Sequence, residues 1–72
     1  MKYYLKIHFI VDGNHYYARG TAPCTEKAFQ EGEFSERYIR ESAYCIISGY
    51  MNLKNLQGNP ELFSWMFECI NN

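Results

Sequence analysis

The residues of this chain with reactive side chains are few: three cysteines, Cys24, Cys45 and Cys69, and two histidines, His8 and His15. A cysteine beside a histidine can become a nucleophile, and thiolates with imidazoles can hold zinc. Neither chemistry has its pattern here. The cysteines are odd in number and widely spaced, with no CxxC pair, and neither histidine sits in a motif. No GxSxG, HExxH, glycine-rich phosphate loop or EF-hand loop occurs. Cys24, His8 and His15 would meet only if the segment after residue 22 folded back over the N-terminal strands. The expectation is therefore a non-enzymatic chain without cofactor or metal, with surface histidines, Cys24 in a loop, and Cys45 and Cys69 as small hydrophobes within apolar helical segments.

A second pattern concerns binding. Residues 2–11 alternate: Tyr3, Leu5, Ile7, Phe9 and Val11 share one face, and Lys2, Tyr4, Lys6, His8 and Ile10 share the other. Period two over ten residues is a half-buried strand. Asp12-Gly13-Asn14 is hairpin-turn chemistry, and His15–Thr21 is the returning strand. A turn at Asp12-Gly13 pairs Phe9 with Tyr16, and a turn at Gly13-Asn14 pairs it with Ala18. In both registers His15, Tyr17 and Arg19 join Lys2, Tyr4, Lys6 and His8 on the face away from the core, because side-chain direction depends only on parity. Lys2, Tyr4, Lys6, His8, His15, Tyr17 and Arg19 are the candidate partner-binding residues.

The stretch from Phe34 to Leu53 supplies what must cover the other face. Ile39, Ala43, Ile46, Ile47, Tyr50 and Leu53 form a stripe of helical period, with Arg37, Arg40, Glu41, Tyr44, Ser48 and Asn52 opposite. Ser35 is suited to cap it, Phe34 and Ile39 to staple it, and Glu36 to the positive end of its dipole. Gly49 opposes a helix by about 1 kcal/mol, and the uncharged Tyr- and Ile-rich run after Glu41 also suits a strand. The alternative is that Ala43–Met51 is a third strand beside the hairpin, in the order ββαβα. Thr25 caps a short helix over Glu26–Glu31, with Gly32 to end it. Asn59-Pro60-Glu61 has the signature of a helix start, and Leu62, Phe63, Met66, Phe67 and Ile70 follow at helical spacing, so Leu62–Ile70 reads as a last helix closed by Asn71-Asn72. The expected fold is a single α+β domain over residues 1–72, an N-terminal antiparallel hairpin packed against two or three helices.

Composition narrows the partners. The chain has 72 residues, net charge −1, 47% hydrophobic residues, and seven Tyr, five Phe and one Trp. No apolar run approaches the ~18 residues of a membrane span, and no leader pattern opens the chain, so a cytoplasmic protein without a membrane partner is expected. Lys2, Lys6 and Arg19 outnumber Asp12 in the first 22 residues, while seven Glu outnumber four basic residues in the rest. The acidic set Glu26, Glu31, Glu33, Glu36 and Glu41 is interrupted by Arg37 and Arg40 and reads as solvated helix surface rather than a phosphate mimic. Tyrosine and arginine are enriched at protein-interface hot spots. The leading expectation is a small protein-binding regulator or inhibitor, of the kind found among phage and mobile-element accessory proteins that act on host defences, with self-association as a second mode. The alternative is a nucleic-acid-binding module that stacks bases on the aromatic face and neutralises phosphates with its basic residues.

Overall fold

A computed structural model describes residues 1–71; Asn72, expected as part of the C-terminal stop, lies outside the described residues. The elements in chain order are β1 (Lys2–Val11), β2 (Asn14–Thr21), α1 (Glu26–Gln30), α2 (Glu36–Leu53) and β3 (Pro60–Ile70). The three strands form one antiparallel sheet in the order β2-β1-β3. The fold is α+β, with the N-terminal hairpin as expected.

Asp12 and Gly13 both have positive φ, of 50° and 81°, and Val11 pairs with Asn14. They form the two-residue turn whose backbone twist matches that of the flanking strands. This selects the register in which Phe9 faces Tyr16. Both short-range helix signals also hold. Ser35 Oγ accepts the Tyr38 N–H at 3.2 Å, and Thr25 Oγ1 accepts the Ala28 N–H at 3.1 Å. Gly32, at φ 81°, ends α1 with the Glu33 N–H bonded to the Ala28 carbonyl at 3.0 Å. Asn55, at φ 53°, ends α2 in the same way, the Leu56 N–H reaching the Met51 carbonyl at 2.8 Å.

Ala43–Met51 is helical, within α2, so the third-strand alternative does not hold at that place. A third strand does join the hairpin, and the C-terminal segment provides it: the expected helix over Leu62–Ile70 is β3. The reason is a bulge. His8 pairs with Ser64 and Phe9 with Leu62, which leaves Phe63 without a partner opposite. The extra residue reverses parity, so Leu62 points inward on one side of it and Trp65 and Phe67 point inward on the other. The broken alternation imitates a helical spacing. Pro60, read as a first helical residue, instead opens an edge strand, where its missing N–H costs no ladder bond. Pairing with β3 gives β1 hydrogen-bonded neighbours on both sides.

The core is the inner face of β1 against one line of α2. Leu5, Ile7, Phe9 and Val11 meet Ile39, Ala43, Ile47 and Met51, with Leu62 completing the set. The buried line on α2 runs at strict four-residue spacing, so Ile46 and Tyr50 flank it and Leu53, 82% exposed, leaves it. Tyr44, expected on the solvent face, is half-buried, and its hydroxyl accepts the Leu62 N–H at 3.1 Å beside the bulge. Phe34, before the cap, stacks on Tyr38 in the first turn, with ring centroids 5.2 Å apart. Cys45 and Cys69, expected as small hydrophobes in apolar helices, are exposed.

Two glycines act in opposite senses. Gly20 lies on the inner face opposite Leu5, and a Cβ there would stand 2.6 Å from Ile46 Cγ1; the missing side chain is what lets α2 lie close to β2. Gly49, in α2, has no atom within 4 Å of where its Cβ would be. Gly20→Val is expected to lower stability by about 1–3 kcal/mol through overpacking. Gly49→Ala is expected to raise it by up to about 1 kcal/mol through helix propensity. Urea denaturation followed by circular dichroism measures both, and equal effects of one sign would refute this account of the helix–sheet contact.

Candidate interaction face

The alternation that buries Leu5, Ile7 and Phe9 turns Lys2, Tyr4, Lys6, His8 and Ile10 to the opposite face of the sheet. The hairpin register places Thr21 beside Tyr4, Arg19 beside Lys6, Tyr17 beside His8 and His15 beside Ile10. All seven candidate partner-binding residues therefore share one surface. The helices pack on the other side, and β3 widens this face instead of covering it. It adds Glu61, Phe63, Ser64, Met66 and Glu68.

The middle of the face is aromatic. The His8 ring stacks on Tyr17, with centroids 4.5 Å apart and planes 26° apart, and Phe63 lies against His8 from the β3 side, also at 4.5 Å. His15 lies 5.0 Å from His8 and 6.4 Å from Phe63. Tyr17 is 68% exposed, Phe63 63% and Met66 60%, so large apolar surface is left to solvent on all sides of a half-buried imidazole. A shallow depression of about 270 Å³ runs between Lys6, His8, Tyr17, Ser64 and Met66.

Lys6, Arg19 and Glu68 lie to one side and are paired. Glu68 stands opposite Tyr4 on β3 and takes two of the three hairpin cations: its Oε1 is 3.2 Å from Arg19 Nη1, and its Oε2 is 3.9 Å from Lys6 Nζ. The Arg19 guanidinium also lies over the Tyr4 ring, 4.4 Å from its centroid. Exposed pairs of this kind contribute only about 0–1 kcal/mol to stability, so their main effect is to cancel charge. Among the described residues, Lys2, Lys6 and Arg19 stand on this face against Glu61 and Glu68.

Phe63, Met66 and Glu68 were invisible as site residues while Leu62–Ile70 read as a helix. The signal that could have found them is the alternation after the bulge: Trp65 and Phe67 inward, Ser64, Met66 and Glu68 outward.

The reactive residues separate. His8 and His15 meet on the open face, whereas Cys24 is half-buried against the core on the other side of the sheet. Burial pushes the Cys24 thiol above its ordinary range, and the Glu33 carboxylate adds to the shift. A reactive nucleophile needs the opposite shift. Among the described residues, no three or more His, Cys, Asp or Glu side chains converge on a metal position, and no helix is long and apolar enough to cross a membrane. Comparison with known protein families, curated proteins and solved structures finds no match for this chain.

The cysteine environments are checked by a thiol reagent at about pH 8. Cys45 and Cys69 should be modified in the native protein, and Cys24 at least ~10-fold more slowly because both its burial and its raised pKa withhold the thiolate. All three should react alike in urea, and mass mapping distinguishes them.

Proposed function

We propose that this chain is a non-enzymatic protein-binding regulator or inhibitor that engages a partner protein through the open face of its sheet. The observation that supports this most is the cluster of Tyr17, His8, Phe63 and Met66, which presents aromatic and apolar surface on a face that no helix covers. Such a patch gains free energy only when something else removes it from water. Tyrosine and phenylalanine on strands are rigid anchors that lose little conformational entropy when they bind.

Charge separates this reading from nucleic-acid binding. A phosphate backbone wants a clearly basic footprint, and on this face Glu61 and Glu68 offset all but one of the charges of Lys2, Lys6 and Arg19. A protein partner has no such need, and polar groups beside an aromatic centre are common at protein interfaces.

The test is affinity capture from bacterial lysate, split into nuclease-treated and untreated halves, with wild-type chain and a Tyr17→Ala/Phe63→Ala variant as baits. A discrete protein should be retained after nuclease treatment and in about 0.5 M salt, where exposed charge interactions are screened. Its affinity for the purified double variant should fall at least ~10-fold, with the far-ultraviolet circular dichroism unchanged. Recovery of nucleic acid, with affinity falling at a log–log salt slope near −0.7 per contact, would put the alternative first. Unchanged binding by the double variant would remove this face from consideration.

A further inference from the structure

We propose that His8 and His15 form a two-imidazole chelating site for a late first-row divalent cation, best matched to Cu²⁺ or Ni²⁺. His8 Nε2 and His15 Nδ1 are 2.8 Å apart. The two residues are seven apart in sequence and are not direct cross-strand partners: His8 stands opposite Tyr17 and His15 opposite Ile10. Their contact is a diagonal one on a single face, made by the register that the Asp12-Gly13 turn imposes. The His8 ring is held in place between Tyr17 and Phe63, so one ligand is positioned before any ion arrives.

The donor type carries the choice of ion. The 2.8 Å contact, with ring centroids 5.0 Å apart, sets the two nitrogens head to head, so a shared ion requires the exposed His15 ring to turn until both lone pairs converge on it. Imidazole donors suit late first-row divalent ions, and affinity along that series rises through Ni²⁺ to Cu²⁺. Without metal, the same approach lets one neutral ring donate its N–H to the other. On binding, the donor ring moves that proton to its second nitrogen, and both facing lone pairs become ligands with no net proton lost. With only two protein donors in place, the remaining positions go to water, or to a side chain brought by a bound molecule. The site needs no partner to form; both rings belong to the face proposed to bind protein, and Ni²⁺ binding is read on the free chain, so either reading can fail without the other.

The probe is nickel chloride alone, added to the full chain without an affinity tag. Substoichiometric Ni²⁺ should broaden the His8 and His15 ring resonances together, ahead of all other signals, and calorimetry should give a 1:1 isotherm. His15→Gln, at an exposed position beside the turn, should weaken Ni²⁺ binding at least ~10-fold by leaving a single ligand. Its circular dichroism should match wild type. Because only the folded chain holds the two rings together, Ni²⁺ should also raise the melting temperature of the wild-type protein and not that of His15→Gln. Broadening of one ring only, broadening centred on the cysteines, or an unchanged Ni²⁺ affinity in His15→Gln would each overturn the assignment.

Discussion

The pairing of β1 with β3 is the contact on which the rest of this structure depends. A two-stranded hairpin has too little surface to hold a helix of 18 residues, and an isolated hairpin is marginal in water. The return of the chain to the free edge of β1 makes a three-stranded platform, with Leu5, Ile7, Phe9 and Val11 in its middle row. Only then is there a surface broad enough for Ile39, Ala43, Ile47 and Met51 to settle on. The Tyr44 hydroxyl ties the two events together, since it belongs to the helix and satisfies the Leu62 N–H of the added strand.

The same pairing decides the character of the opposite face. It brings Glu68 to Lys6 and Arg19 and Phe63 to His8, converting a modestly basic surface into an aromatic one nearer to neutrality. Without β3, Lys6 and Arg19 would stand free and Tyr17 would be an isolated ring. The bulge at Phe63 contributes directly, because the residue it leaves unpaired is the one that lies against His8.

Much of this was legible in the sequence, and the part that was not has one physical origin. The alternation of residues 2–11, the Asp12-Gly13 turn, the Ser35 and Thr25 caps and the Gly32 stop are local signals, and local geometry satisfied each of them. The face shared by Lys2, Tyr4, Lys6, His8, His15, Tyr17 and Arg19 followed from parity alone. The segment 62–70 was different. Its two inner-facing runs are joined out of phase by Phe63, so apolar residues from both faces fell at intervals of three and four, and Asn59-Pro60 added a helix-start signature. What overrode those signals was a partner more than fifty residues away in the chain, the open edge of β1. The helix stripe shifted for a related reason: the sheet buries a single line of side chains at four-residue spacing, so Met51 is buried and Leu53 is not. The meeting of His8 and His15 needed the exact register, which parity does not supply.

The division of labour between the two sides of β1 has a consequence for substitution. Residues that hold the fold and residues that meet solvent alternate along the strand, and among the buried core none belongs to the open face. Each outward position can therefore change with little effect on folding, so most of that surface is free to be rewritten while the inner row keeps its residues.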